Sequence, residues 1–134
     1  MLVWFLLIPQ GPSIMVEAPW VRTAPMGAAG YMVITNRGGE ADVLVSVNLD
    51  FGGMAMLHET VIEDNIMKMK MVTNLEIPPD SKVELKPGGY HIMLQDLAQP
   101  LQDGETVKIH LHLERSGTIT VDALISQESP NSSS

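Results

Sequence analysis

Cysteine is absent from this 134-residue chain, which rules out disulfide staples and thiol redox chemistry. Basic side chains are scarce: eight Lys and Arg stand against sixteen Asp and Glu, a formal charge of -8. Nucleic acid and anionic membrane surfaces are bound through Lys and Arg, so neither is expected as a partner. The acidity reads first as solubility, with at most a weak steering towards basic partners. Long apolar runs are also missing. Leu2 to Ile8 is uninterrupted but covers only seven residues before Pro9-Gln10-Gly11-Pro12, too few to cross a bilayer. It lacks the basic n-region and small-residue cleavage site of a secretory signal. Residues 1–12 are therefore expected to be either the remnant of a signal peptide whose start lies upstream or a segment packed on the domain. Membrane contact is expected only through such an N-terminal anchor.

Catalytic apparatus is equally lacking. No nucleophile with its base, no paired catalytic carboxylates and no open zinc triad stand out, so an enzyme is not expected. Gly88-Gly89 has neither the GK[ST] sequence nor the following helix of a phosphate loop.

What remains is the punctuation of one all-β domain, long enough to bury a core without cross-links. Extended segments are expected over Ile14 to Arg22, Gly30 to Asn36, Met54 to Ile62, Ile66 to Glu76, Ser81 to Leu85 and Tyr90 to Leu94. Val43, Val45 and Val47 alternate with Leu44, Ser46 and Asn48, which predicts a strand with one buried face. The clearest alternation sets Val107, Ile109, Leu111 and Leu113 against Lys108, His110, His112 and Glu114, and Thr118 to Ile125 follows as the last strand. Turn residues at Pro25-Met26-Gly27, Pro78-Pro79-Asp80, Pro87-Gly88-Gly89 and Pro100 to Gly104 separate these segments. A series of short strands without helices for crossovers implies a Greek-key β-sandwich or barrel over residues 13–126. The Ser-rich stretch 127–134 is expected to be a disordered tail. Trp20 and Tyr31 are expected in the core.

Two histidines and two methionines, His58, Met69, His91 and Met93, are the chemistry-bearing constellation. If Glu63-Asp64-Asn65 turns a hairpin, a centre between Glu63 and Asp64 sets His58 opposite Met69 and Met56 opposite Met71. His91 and Met93 are separated by one residue and share a strand face about 7 Å apart. Thioether sulfur favours Cu(I), whereas oxygen donors favour Mg, Ca and Mn. Zinc sites rarely use thioethers, and a blue-copper electron-transfer site needs the thiolate this chain lacks. Met56 and Met71 are candidate accessory residues, as a soft apolar rim or a handover ligand, although core packing is the common role of Met. His110 and His112 have the spacing of a metal pair, but solvated His is the commoner outcome on such a polar face.

This pattern, with Leu57-His58-Glu59-Thr60, Met67-Lys68-Met69 and Pro87-Gly88-Gly89-Tyr90-His91-Ile92-Met93, closely resembles the PCu(A)C family of periplasmic copper chaperones. The likeness extends to Ala18-Pro19-Trp20-Val21-Arg22, Gly30-Tyr31-Met32-Val33-Ile34-Thr35-Asn36 and Pro100-Leu101. The resemblance implies a cupredoxin-like fold and one Cu(I) held by His58, Met69, His91 and Met93. It also implies delivery towards the CuA centre of cytochrome c oxidase, alongside a Sco-type protein, by a monomer in the periplasm or extracytoplasmic envelope. The front of the chain departs from the family, whose precursors usually begin with a full signal peptide. A reading from another class remains open: a secreted β-sandwich interaction module without a metal.

Overall fold

The computed structural model describes residues 11–25, 27–50 and 52–130. The apolar run expected to be a signal remnant or packed segment, and the end of the expected C-terminal tail, lie outside the described residues. Ten strands form a single sheet: β1 (Ile14–Ala24), β2 (Gly27–Asn36), β3 (Asp42–Leu49), β4 (Met54–Glu63), β5 (Ile66–Met71), β6 (Leu75–Ile77), β7 (Ser81–Leu85), β8 (Tyr90–Gln95), β9 (Thr106–Leu113) and β10 (Gly117–Ile125). Among the described residues there is no helix, and the all-β expectation holds.

The sheet runs β5-β4-β8-β7-β2-β1-β10-β9-β3-β6, with a further β8–β2 pairing. It curls so that β3 packs against β4, and the two halves enclose one core. β1 and β10 lie side by side in parallel through Trp20↔Leu124 and Val21↔Ile125. That contact joins the first and last strands and leaves the β4–β5 hairpin at one end of the sheet.

The described residues hold one strand more than the nine extended segments read from the sequence, because the stretch from Ile66 to Glu76 is two strands. Asn74 adopts a left-handed φ of 63°, a conformation Asn tolerates better than most residues. The break sends β5 to β4 and β6 to β3, at opposite ends of the sheet.

Strand β9 follows its sequence pattern, with Val107, Ile109, Leu111 and Leu113 all buried. Strand β3 does not. Leu44, Val47 and Leu49 are buried while Val45 is exposed, because the β3–β9 register shifts between Leu44 and Ser46. A bulge inserts one residue and exchanges the faces beyond it, so a strict alternation of valines could not be the buried face. Core members Ile34, Ile77, Ile92, Leu94, Ile109 and Leu111 are all fully buried, each stabilising the fold by about 1.5–3 kcal/mol.

Two buried polar side chains tie strands to loops. Asn36 Nδ2 donates to the carbonyls of Glu40 and Ile77 at 2.8 and 3.1 Å, while its Oδ1 accepts from Ser13 N and Gly38 N. Asp42 accepts from the amides of Val43, Arg115 and Ser116 and from the Ser116 hydroxyl. Burial pushes the Asp42 pKa up, but these hydrogen bonds to its charged form outweigh it and hold the carboxyl below 3.8.

Candidate metal centre

The site lies on β4, β5 and β8, the strands at one end of the curled sheet. Pleating sends Leu57, Ile92 and Leu94 into the core and turns His58, Met56, His91 and Met93 to the other face. The β4–β8 ladder pairs His58 with His91 and Met56 with Met93. The imidazoles meet edge-on, ring centroids 5.8 Å apart and planes at 77°. Residues paired across a ladder hold their Cβ atoms about 4.5–5.5 Å apart, so this alignment puts two nitrogen donors and two sulfur donors in adjacent rows.

The expected hairpin register is corrected by two residues. His58 pairs with Met71, and Thr60 with Met69. The turn is the two-residue loop Asp64-Asn65, both with positive φ, 52° and 63°. That is the geometry of a tight I′ hairpin, which Asn and Asp accept. Its centre falls one residue later than the sequence reading placed it, so every partner moves by two. An even slip preserves faces: Met69 still shares His58's face but sits diagonally from it, about 7–8 Å away. Met71 takes the directly opposite place.

Hydrogen bonding defines the state of His91. Its Nδ1 lies 3.1 Å from the Gly89 carbonyl oxygen, which can only accept, so the ring proton sits on Nδ1. The lone pair is therefore on Nε2, and that atom is buried without a partner. The Gly89 oxygen also accepts from Thr60 N at 3.2 Å, which joins the turn before β8 to β4. Pro87-Gly88-Gly89 thus orients His91 through a backbone carbonyl. Holding one ring nitrogen by a carbonyl is the usual way a ligating His is oriented.

His58 Nδ1 is likewise buried and unpartnered. Burial, and secondarily the charge of His91, hold the His58 pKa below 6.5, keeping it neutral near neutral pH. Two buried, unpartnered ring nitrogens in one row are unusual, since buried polar atoms are nearly always hydrogen-bonded. A soft cation fits them: an imidazole nitrogen carrying its lone pair is an uncharged donor, and thioethers flank both rings. Among the described residues no three His, Asp or Glu side chains gather into a metal site, so no carboxylate joins the two histidines.

A cavity of about 420 Å³ opens beside His91, lined also by Met69, Met93, Thr60, Arg22 and Tyr31 among others. Arg22 and Tyr31 carried no site signal in the sequence. Trp20 and Tyr31 are buried, as expected, with ring centroids 4.9 Å apart. Arg22 lies over both rings at 5.9 and 5.6 Å and donates to the Tyr31 hydroxyl at 3.3 Å, so a fixed cation borders the cavity. The β5 methionines are exposed: Met67 by 68%, Met69 by 56% and Met71 by 62%. Their apolar side chains are therefore not core filler.

His110 and His112 are occupied elsewhere. His110 bonds Thr120 Oγ1 and Asp50 Oδ1, and His112 bonds Thr118 Oγ1 and Asn48 Oδ1. Both rings are spent in a ladder across β3, β9 and β10, well separated in the sheet order from the β4–β8 pair.

A family model described as "Putative lipoprotein LpqE-like" matches residues 14–125. The chain belongs to the LpqE-like family. The LpqE-like chain is 30% identical over 114 residues to "Putative lipoprotein Lxx21020" of Leifsonia xyli subsp. xyli, covering 84% of this chain and 69% of that protein. Among solved structures, the copper-bound PCuAC domain from PmoF2 matches with a TM-score of 0.71 at 25% identity, over 86% of this chain and 93% of that one. The Cu(I) form of DR1885 from Deinococcus radiodurans matches with a TM-score of 0.64 at 30% identity, over 84% and 79%. The LpqE-like chain is thus a PCuAC-family protein with that family's cupredoxin-like fold, as the resemblance in its sequence implied.

Proposed function

We propose that this protein is a copper chaperone that holds one Cu(I) through His58, Met69, His91 and Met93 and releases it by ligand exchange. The observation that carries this reading is the pair of buried ring nitrogens without partners, His58 Nδ1 and His91 Nε2, beside the exposed thioether of Met69 and the half-buried one of Met93. Imidazole and thioether are soft or borderline neutral donors suited to Cu(I). A site built from them adds no negative charge to the ion, which favours exchange over permanent retention. The copper-bound PmoF2 domain and Cu(I) DR1885 support copper as the cargo.

The recipient we propose is a copper-site protein, with the CuA centre of cytochrome c oxidase as the family-based candidate and a Sco-type protein as an accompanying factor. The lipoprotein family description fits an extracytoplasmic, envelope-associated location, and the periplasm is the compartment we propose.

The test is an anaerobic Cu(I) titration against a competing chelator, on the parent and on a Met69→Leu/Met93→Leu variant. Leu keeps apolar bulk while removing both sulfurs, a swap proteins usually tolerate. One equivalent bound by the parent and lost by the folded variant is expected. Equal binding by both removes the thioether role, and no binding by either leaves a metal-free interaction module.

A further inference from the structure

The hairpin register isolates two methionines that the four-ligand set does not use. Met71 stands directly opposite His58 on β5, and Met56 precedes His58 by two residues on the same face of β4. Both border a cleft of about 170 Å³ between β3 and the hairpin, together with Val45, Ser46, Val47 and Thr73. That cleft is separate from the cavity bordered by Met69, His91 and Met93. By register His58 is paired with Met71, which borders the cleft, and lies diagonal to Met69, which borders the cavity.

We propose that Met56 and Met71 form a second soft-ion station, through which Cu(I) passes between the resting site and the outside, with His58 common to both positions. This rests on the Cu(I) reading above and adds its route. Met71 is 62% exposed at a terminal strand of the sheet, so core packing does not account for a thioether there. Cross-strand Cβ atoms about 4.5–5.5 Å apart, and diagonal ones about 7–8 Å apart, are within reach of flexible Met side chains. Movement between positions needs only exchange of neutral donors: a bond from copper to Met69 or Met93 sulfur breaks as one to Met71 or Met56 sulfur forms. The ion remains Cu(I), and neither proton nor electron is transferred. An incoming partner's donor can then displace Met71 at the surface while His58 still holds the ion, so copper is never without ligands.

The experiment compares the parent with a Met56→Leu/Met71→Leu variant, both loaded anaerobically with one equivalent of Cu(I) and mixed in stopped flow with bathocuproine disulfonate. The variant is expected to keep one equivalent with affinity within about threefold of the parent, the scale of ordinary surface substitutions. Its transfer to the chelator is expected to slow by about tenfold, because the stepwise path is lost and the barrier rises accordingly. Met71→Leu alone, an exposed change that leaves the core intact, is expected to slow transfer by several-fold and guards against a folding defect in the double variant. An unchanged rate in the loaded double variant overturns the station while leaving the four-ligand reading standing. Loss of the equilibrium affinity also overturns it, because the pair would then be holding ligands rather than a route. A parent that takes up no Cu(I) overturns both readings.

Discussion

His58 and His91 face one another across the β4–β8 ladder, ring centroids 5.8 Å apart, and each keeps one buried ring nitrogen without a hydrogen-bond partner. Removing either ring is expected to cost Cu(I) affinity at least as much as losing an outer-shell partner, about 10–100-fold. His58→Ala and His91→Ala, each confirmed folded by circular dichroism, should show this in chelator competition. Retention of parental affinity by either variant removes that imidazole from the ligand set.

Protons should compete with copper for the same nitrogens. Copper requires neutral imidazole, and His58 is held below 6.5 by burial first and by His91 second. Affinity is therefore expected to stay level above pH 6.5 and to decline as the pH falls towards the lowered His58 value. The linkage also acts on the metal-free fold. The unfolded chain takes up this proton at its ordinary value and the folded chain only at a lower pH, so the His58 contribution is intact above pH 6.5 and is lost as pH falls through the folded pKa. Thermal melts of the apo parent and His58→Gln across pH 7 to 5 should diverge, with the parent losing more stability. Parallel curves would contradict a depressed His58.

The turn before β8 should be sensitive to a single methyl group. Gly88 has a φ of 85°, and a Cβ there would meet nothing within 4 Å, so the cost of Gly88→Ala is conformational rather than steric. About 1 kcal/mol of destabilisation is expected from a non-glycine residue in this backbone region. Because the same turn carries the Gly89 carbonyl that holds His91 Nδ1, Cu(I) affinity should fall as well. A chemical-denaturation curve and a chelator titration on one sample test both effects.

Oxidation of the empty protein should remove a copper donor. Met69 is 56% exposed, and conversion to sulfoxide replaces a soft sulfur donor with a polar group. Peroxide treatment of the apo protein, followed by removal of the oxidant, is expected to abolish Cu(I) uptake. Peptide mass spectrometry reads the extent at each methionine. Full oxidation of Met69 with unchanged uptake would exclude it as a ligand.

Asn36 offers a control far from copper. It is fully buried and serves four backbone partners, so Asn36→Ala strands donors and acceptors that water cannot reach. A loss of about 3 kcal/mol is expected from such unsatisfied buried groups. Urea denaturation measures it, and unchanged stability would show that the cavity lets water substitute for the amide.

The sequence alone determined the all-β class, the buried face of β9, the burial of Trp20 and Tyr31, and a His and Met set whose chemistry points to a soft ion. These were legible because period-two alternation and donor chemistry are local properties of the chain. Only the tertiary structure decided which donors adjoin. The hairpin register depends on where Asp64 and Asn65 turn, and a one-residue displacement of that centre moves every partner by two. The pairing of His58 with His91 joins segments more than thirty residues apart, and no local pattern specifies it. The β3 bulge that exposes Val45, and the stacking of Arg22 beside the cavity, likewise follow from neighbours supplied by the curled sheet. Local periodicity sets which face a side chain takes, while long-range strand pairing sets what it meets there.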